Sequence, residues 1–249
     1  MAEPVYDEIG RTYTSTRGPD ARIAARIVEA LGDAHSVVNV GAGTGSYEPS
    51  DRHVVAVEPS RTMIDQRPDG LAPCVQAVAE ALPFPDRTFD AALASLTIHH
   101  WPDWRRGLDE MKRVASRVVL FTFEPADVGK FWLTEEYFPE IVSYDRRRVG
   151  SIADVIAQLG PCDDVRVPIP HDCTDGFLAC YWRRPEAYLD PIVRAGISGF
   201  ALLGEHVLAR GVQRLADDLA SGEWERRFGW VRELDELDVC YRLVVSERR

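Results

Sequence analysis

The sequence has few cysteines and no long apolar run. Only five of its 249 residues are cysteine, and these are scattered and odd in number. Zinc sites and disulfide frameworks need paired cysteines, so we expect reduced thiols and predict no metal site. No segment approaches the roughly 20 consecutive apolar residues of a membrane helix. The polar, acidic start MAEPVYDEIG predicts neither a signal peptide nor an anchor, and the expected compartment is the cytoplasm.

Basic charge is also in short supply. The chain has 29 Lys and Arg against 40 Asp and Glu, a net charge of −11, and acids separate its arginines. The electrostatic field of this net negative charge repels long nucleic acids, and only a local basic patch could attract them. With 45% hydrophobic and 28% charged residues, the composition is that of a folded protein. No repeat or linker divides the chain, so we expect residues 1–249 to form one domain.

Short apolar runs alternate with helical patterns along the chain. Unbroken runs predict parallel strands, because such strands are buried on both faces. Helices are predicted at 19–32, at 103–115 after the cap Asp103, and at 151–160. The alternation predicts an α/β fold with a doubly wound, mostly parallel sheet and helices on both faces. The seven predicted strands are 36–40, 53–59, 73–79, 89–96, 117–123, 163–169 and 238–246.

Two stretches, 124–150 and 170–237, fall outside the sheet pattern. We expect them to form a lid of helices and loops over the carboxyl edge of the sheet. Their many aromatic side chains either line a pocket for an organic substrate or form a core under the lid. Glu124 either contacts the substrate or caps a turn. The candidate substrate-binding residues are Glu124, Phe131, Trp132, Tyr137 and Tyr144.

A glycine-rich turn follows the first strand in VVNVGAGTGS (37–46). Its glycines let the backbone leave the strand sharply and let a ligand approach without a side chain between, and free N–H groups beyond the turn should face that ligand. Glu58 closes the second strand seventeen residues after Gly41, so its carboxylate should lie beside the turn. A carboxylate there accepts hydrogen bonds from the ribose of an adenosyl-type ligand. A dinucleotide-binding dehydrogenase would carry its third glycine where this chain has Ser46.

Four phrases occur in the order found in one known family: the glycine turn, VVAVEPS, AEALPFPDRTFD and LTIHHWPD. Over about residues 5–123 the chain resembles the class I S-adenosylmethionine-dependent methyltransferases, particularly a small-molecule branch that includes ubiquinone and menaquinone C-methyltransferases. The resemblance implies a Rossmann-like fold and S-adenosyl-L-methionine as cofactor, with S-adenosyl-L-homocysteine as product. It also implies in-line methyl transfer to a small organic molecule. Transfer to oxygen, nitrogen or carbon stays open, as does the oligomeric state.

The resemblance also implies a cofactor site. The glycine turn would pass under the amino-acid portion of the cofactor, Glu58 would hold the ribose, and Leu96 would lie near the sulfonium. An N-terminal segment, residues 1–18, would cover the cofactor. The implied contacts are Tyr13, Arg17, Asn39, Gly41, Ala42, Gly43, Thr44, Gly45, Glu58, Pro59, Ser60, Met63, Ala79, Glu80 and Leu96.

Three features depart from the family pattern. Asn39 replaces the usual acid of the first strand and brings no charge toward the ammonium group of the cofactor. Val78 replaces the acid before Ala79, which leaves a backbone carbonyl or Glu80 to bind the adenine amino group. Only about a dozen residues, Pro49 among them, separate the first two strands, so the first crossover helix must be very short.

His99 and His100 follow the fourth strand at the expected ligand edge. Each is either a general base for the acceptor, with His100 the stronger candidate, or a side chain that packs beside the cofactor or caps the next helix. Methyl transfer itself needs alignment more than a base. Two other functions stay open: a non-catalytic cofactor-binding or partner protein on this fold, and an NAD(P)-dependent oxidoreductase. Ser46 and the lack of a Tyr-x-x-x-Lys pair argue against the second.

Overall fold

The computed structural model describes residues 18–247 as strands joined by helices and turns. Its strands are β1 (Ser36–Val40), β2 (His53–Val57), β3 (Cys74–Val75), β4 (Phe89–Ser95), β5 (Ala115–Phe123), β6 (Cys162–Arg166), β7 (Ile169–Pro170), β8 (Glu236–Leu237) and β9 (Tyr241–Glu247). Seven of them form one sheet in the order β3-β2-β1-β4-β5-β9-β6, and β7 pairs separately with β8. Strands β1 to β5 are parallel, whereas β9 is antiparallel to both of its neighbours. The predicted seven-stranded, mostly parallel sheet is confirmed.

Helices connect the strands and cover the sheet. They are α1 (Ala21–Leu31), α2 (Arg61–Asp65), α3 (Trp104–Val114), α4 (Pro125–Val128), α5 (Trp132–Glu136), α6 (Pro139–Arg148), α7 (Ile152–Leu159), α8 (Pro191–Ala195), α9 (Ser198–Ala201), α10 (Glu205–Ser221) and α11 (Glu223–Phe228). Short 3₁₀ turns lie at Ile98–His100, Pro185–Leu189 and Gly229–Glu233. Within residues 18–247, no helix has both the length and the apolar character needed to cross a bilayer.

Both faces of the sheet are covered at its centre. Successive side chains of a strand point to opposite faces. Every residue of β1 from Val37 to Val40 is buried, and so is every residue of β5 from Val118 to Phe123. Such strands need apolar side chains at successive positions, which explains the unbroken apolar runs in the sequence.

Helices α1, α3 and α7 begin where the sequence predicts. Their N-caps are Asp20, Asp103 and Ser151, and each cap side chain accepts a hydrogen bond from a backbone amide of the first turn. The same bonds satisfy amides that have no partner within the helix. Polar caps before apolar periodic segments therefore fix these three helix starts.

The first crossover has no helix. Between β1 and β2 the chain forms only turns, where the sequence analysis predicted a very short helix. A buried ion pair between Glu48 and Arg67, 2.8 Å apart, holds this loop instead. Glu48 also accepts hydrogen bonds from the Ala72 amide at 2.9 Å and from Asn39 Nδ2 at 3.4 Å. Side-chain bonds thus replace a helix in fixing the backbone after β1.

The segments 124–150 and 170–237 form a helical layer with an aromatic core. The ring of Trp132 packs edge-on against Tyr188 and Trp224, with centroids 5.7 and 5.3 Å apart. Its Nε1 donates a hydrogen bond to the carbonyl of Trp182 at 3.0 Å. These rings are buried and continuous with the core of the sheet.

Candidate active site

The glycine turn leaves β1 at the carboxyl edge of the sheet. Gly41, Gly43 and Gly45 have φ values of +69°, +54° and +100°. Side chains rarely tolerate this left-handed region, so the turn needs glycine at these positions. A Cβ atom on Gly41 would also lie only 2.2 Å from Thr97 Oγ1. The turn therefore packs directly on the segment that follows β4.

The amides of the turn bond within the protein. The N–H groups of Gly41 and Ala42 donate to the carbonyl of Val57 at 2.8 and 3.0 Å. The N–H group of Gly43 donates to Glu58 Oε2 at 2.9 Å. These three amides therefore have partners within the protein. The carbonyl and the carboxylate at the end of β2 accept their hydrogen bonds.

Glu58 lies against the glycine turn. The residue is buried, and its Oε1 accepts a second hydrogen bond, from the Ser60 amide at 2.9 Å. Because the two oxygens bond to two different backbone segments, the carboxylate holds one orientation. The structure thus brings together the turn and the acid that the sequence analysis placed side by side.

Arg67 fixes the turn and was missed by the sequence analysis. Its Nη1 donates to the carbonyl of Gly43 at 3.3 Å, and its Nη2 donates to Glu48 and to the carbonyl of Ala72. The guanidinium is buried, so these bonds are protected from water. No motif marks this residue, because it becomes a neighbour of the turn only when the two crossovers pack together.

The other predicted cofactor residues on this side differ in role. Ser60 is fully buried and caps α2 by accepting a hydrogen bond from the Met63 amide at 3.2 Å. A Cβ atom on Gly43 would lie 3.3 Å from Met63 Cε, so Met63 forms the floor of the turn. Asn39, Ala42 and Thr44 are buried, whereas Pro59 is half-buried. Tyr13 and Arg17 lie outside the described residues.

Glu80 stabilises the start of α3. Its carboxylate accepts a hydrogen bond from the Asp103 amide at 3.0 Å. Ala79 is buried and faces Gly107, where an added Cβ atom would lie 3.3 Å away. Val78, in place of the usual acid, is 40% exposed. The Glu80 side chain therefore has a structural role that the sequence analysis did not anticipate.

A cavity opens at the same sheet edge. Leu96, His99 and His100 line it, and the two imidazole centroids are 3.8 Å apart. Leu96 has a φ of +50°, and its amide donates to the Phe121 carbonyl at 2.7 Å. The structure therefore gathers three predicted site residues around one cavity. Phe123, Val128, Ile141, Phe177, Leu178, Ile197, Ser198, Gly199 and Tyr241 complete its walls.

Glu124, a predicted substrate contact, does not line this cavity. Its Oε1 accepts a hydrogen bond from the Ala126 amide at 3.0 Å, and its Oε2 accepts one from the Ile152 amide at 2.9 Å. The second interpretation from the sequence, a cap, therefore describes Glu124. It fixes the starts of α4 and α7 together.

The four predicted aromatic contacts do not line the cavity either. Phe131 and Trp132 lie in the aromatic core of the helical layer, and Tyr137 donates its phenol to Asp218 at 2.7 Å. Tyr144 is half-buried and is not one of the lining residues. Composition identified the aromatic segments but not the direction in which each ring points. The rings at the cavity are instead Phe123, Phe177 and Tyr241.

The five cysteines, all within residues 18–247, form no disulfide, but two of them are neighbours. The Sγ atoms of Cys173 and Cys180 lie 3.1 Å apart, and both residues are buried. The five cysteines are scattered along the sequence, but the fold brings these two together. Spacing in the sequence did not reveal it, because a loop brings the two residues together.

The sheet order and the glycine turn packed against Glu58 define a doubly wound α/β protein, and comparison with known proteins identifies the family. Residues 38–121 match a family model described as a methyltransferase domain. The fold matches a candidate methyltransferase from an antibiotic biosynthesis pathway of Anabaena variabilis with a TM-score of 0.86 and 33% identity, over 95% of this chain and 99% of that chain. The chain belongs to the class I S-adenosylmethionine-dependent methyltransferases, whose cofactor is S-adenosyl-L-methionine.

Curated relatives match over shorter stretches. A demethylmenaquinone methyltransferase of Clavibacter sepedonicus is 31% identical over 50% of this chain and 58% of its own length. An uncharacterised methyltransferase of Bacillus subtilis is 27% identical over 49% of each chain. The chain thus spans about half the length of these relatives.

Proposed function

We propose that the chain transfers a methyl group from S-adenosyl-L-methionine to a small organic molecule bound beside His99 and His100. One observation carries this proposal: the glycine turn and the cavity share a wall. Thr97 packs on Gly41 in the turn, and the adjacent Leu96 lines the cavity. A cofactor at the turn and an acceptor in the cavity would therefore adjoin across this segment.

The residues around the turn fit this cofactor. The glycines let a bulky ligand approach the backbone, the Glu58 carboxylate suits the two hydroxyls of a ribose, and Met63 supplies an apolar floor. The bound cofactor supplies a methyl group already activated on a sulfonium. We assign its contacts to Gly41, Ala42, Gly43, Thr44, Gly45, Glu58, Pro59, Met63, Ala79 and Leu96, with Asn39 and Ser60 supporting them from behind.

The chain contributes alignment and a dry site. Its cavity walls come from the sheet edge and from the helical layer, which are packed elements rather than open loops. Holding two reactants in a productive geometry accounts for about 7–11 kcal/mol of barrier lowering. We propose that the segments 124–150 and 170–237 act as the lid, since Val128 and Ile141 of the first and Phe177 of the second line the cavity.

The cavity favours an uncharged acceptor. Among the residues that the structure describes, its lining has aromatic, aliphatic, imidazole and hydroxyl groups but no Asp, Glu, Lys or Arg. An ionised group buried there would lose its hydration without gaining a partner of opposite charge. Together with the net charge of −11, this argues against long nucleic acids as substrates. We place the reaction in the cytoplasm.

We propose His100 as the general base for an acceptor that must lose a proton, with His99 as the alternative. Both imidazoles line the cavity. With centroids 3.8 Å apart, two imidazolium charges would repel each other, so the pair favours at least one neutral ring. A neutral imidazole can accept the proton, and solvent then removes it.

The proposal is tested by isothermal calorimetry with S-adenosyl-L-methionine and S-adenosyl-L-homocysteine, followed by a screen of small organic acceptors for methyl transfer. We expect both cofactor forms to bind and uncharged acceptors to be methylated. Absence of cofactor binding would contradict the proposed site. Binding without turnover on any acceptor would instead support a non-catalytic protein on this fold.

A further inference from the structure

A loop of the helical layer borders the proposed acceptor cavity. This wall loop, residues 173–180, contributes Phe177 to the lining. Its two ends are held together by Arg184, whose Nη2 donates to the carbonyls of Cys173 and Cys180 at 3.0 Å each. Arg184, a residue of the same layer, therefore holds the two ends of the wall loop together. The tip of the wall loop, around Asp175, is attached separately.

The tip is attached to the cofactor side of the sheet by a buried hydrogen bond. The phenol of Tyr47 donates to Asp175 Oδ2 at 2.8 Å, and both residues are buried. Tyr47 follows Gly45 by two positions. Burial and the neighbouring Asp175 carboxylate raise the pKa of Tyr47 above its usual range, so the phenol keeps its proton. The donor is therefore present throughout the physiological pH range.

The backbone of Tyr47 is strained at this bond. Its φ of +61° lies in the left-handed region, which is uncommon for a residue other than glycine. Strain of this kind persists only where the surrounding contacts hold it. At Tyr47, one of these contacts is the hydrogen bond from the phenol to Asp175. The ring also packs edge-on against Phe121, which in turn packs against Phe177 of the wall loop, with centroids 5.8 and 6.2 Å apart.

A third segment meets at the same point. The Asp20 amide lies 3.4 Å from the Tyr47 hydroxyl and donates to it. The Asp20 carboxylate, the N-cap of α1, accepts a hydrogen bond from the Thr174 amide of the wall loop at 3.2 Å. The glycine turn, the start of α1 and the wall loop are thus joined through one buried cluster.

We infer that Tyr47 and Asp175 are positioning residues. Their hydrogen bond couples cofactor binding at the glycine turn to the position of the wall loop. The wall loop in turn forms part of the cavity wall against which the acceptor is aligned. This inference rests on the proposed function of the two sites. Coupling of this kind is reciprocal, so a wall loop held in place also strengthens cofactor binding. Neither residue needs to touch the cofactor or the acceptor.

Hydrogen exchange of the full chain, with and without S-adenosyl-L-homocysteine, measures this coupling without an acceptor. In the wild type we expect the cofactor to slow exchange both in the glycine turn and in residues 173–180. In Tyr47→Phe, which removes one oxygen atom, the turn should still be protected. The added protection of the wall loop should fall by about tenfold or more, equivalent to at least about 1.4 kcal/mol of lost coupling.

Two further variants separate coupling from simple loss of stability. Tyr137→Phe is the matched control, because Tyr137 also donates a phenol to a carboxylate, Asp218 at 2.7 Å. It should lower the free energy of unfolding but leave the coupling intact. Asp175→Asn should largely retain the coupling, because the amide oxygen of the variant can still accept the hydrogen bond that the Tyr47 phenol donates.

The outcomes distinguish this inference from the proposed function. If S-adenosyl-L-homocysteine binds the wild type and Tyr47→Phe keeps full protection of the wall loop, the inference is wrong. It is equally wrong if Tyr137→Phe loses the coupling as strongly, or if the wild-type wall loop shows no response to bound cofactor. Failure of the wild type to bind S-adenosyl-L-homocysteine would overturn the proposed function itself.

Discussion

Glu58 combines a structural bond pattern with a proposed binding role. Its two carboxylate oxygens accept hydrogen bonds from Gly43 and Ser60, so one side chain holds both the glycine turn and the start of α2. A group fixed in this way needs little reorganisation when a ribose binds. The charge and the orientation of Glu58 should therefore both matter for affinity.

We predict that Glu58→Gln weakens S-adenosyl-L-homocysteine binding by about 1–3 kcal/mol, the scale of a lost charged hydrogen bond. The amide must also place its NH₂ group against one of the two backbone N–H donors. Calorimetry on the variant and on the surface control Glu223→Gln measures the effect. Equal affinities for Glu58→Gln and the wild type would show that the ribose is held elsewhere.

His100→Gln should slow methyl transfer by about 10²–10⁴-fold if the acceptor loses its proton to this ring. The rate should also lose the rise with pH that a titrating imidazole base produces. His99→Gln should keep that rise. Rates measured across pH for both variants on one acceptor decide the assignment, and an unchanged profile for His100→Gln would leave it only a packing role.

At the residue scale, the sequence could identify positions with a fixed chemical requirement. Gly41, Gly43 and Gly45 need a left-handed backbone, and Glu58 ends a strand beside them, so pattern alone located them. Arg67 could not be found in this way. Its function depends on two crossovers packing side by side. No local sequence pattern distinguishes an arginine with this role from any other residue with a long side chain that donates hydrogen bonds.

Among the elements, the first crossover depends on side chains rather than on a helix. Breaking the buried pair of Glu48 and Arg67 leaves an uncompensated charge, so Arg67→Met should lower the free energy of unfolding by about 3–5 kcal/mol. It should also weaken cofactor binding, because the carbonyl of Gly43 loses a donor. Denaturation and calorimetry measure the two effects.

The double variant Glu48→Leu with Arg67→Met controls for this charge effect. It removes both charges and should recover much of the lost stability, while cofactor affinity stays low. If the single Arg67 variant proved as stable as the wild type, the ion pair would not be what holds the loop.

The start of α1 should give the protein a pH-dependent stability. Hydrogen bonds from the Arg22 guanidinium lower the pKa of Asp20 to about 2. Because the folded pKa lies below the unfolded one, the stabilisation is present above about pH 4 and is lost as the pH falls toward 2. Asp20→Asn keeps a side-chain cap and should cost about 2 kcal/mol at neutral pH.

Urea denaturation at several pH values tests this prediction. The stabilities of Asp20→Asn and the wild type should converge near the folded pKa of Asp20. The control variant is Asp172→Asn. Asp172 is the exposed second partner of Arg22, so this substitution should change the free energy of unfolding little. If the difference in free energy of unfolding between Asp20→Asn and the wild type stayed constant with pH, the stabilisation by Asp20 would not be electrostatic.

Element prediction succeeded where local signals are strong. Caps at Asp20, Asp103 and Ser151 stand before periodic apolar segments, and these three helices begin where expected. In the helical layer the signal was a high content of aromatic residues, which does not indicate the direction in which each ring points. Trp132 therefore proved to be core, whereas Phe177 lines the cavity.

For the whole molecule, periodicity predicts buried parallel strands but not their order. The order β3-β2-β1-β4-β5-β9-β6 requires β9 to run antiparallel between β5 and β6, and pairing of this kind depends on contacts distant in the sequence. The family resemblance, carried by four phrases in order, implied a Rossmann-like fold but not this strand order. This sheet brings the ends of β1, β2 and β4 to one edge, where the proposed cofactor and acceptor sites adjoin.

The central claim is that the glycine turn and Glu58 hold the adenosyl cofactor next to the cavity of His99 and His100. The most direct measurement is a crystal structure of the chain with S-adenosyl-L-homocysteine. We predict the ribose hydroxyls within hydrogen-bonding distance of Glu58, the amino-acid portion over Gly41 to Gly45, and the sulfur facing Leu96 and the cavity. A ligand bound elsewhere, or with its sulfur turned away from that cavity, would contradict the account.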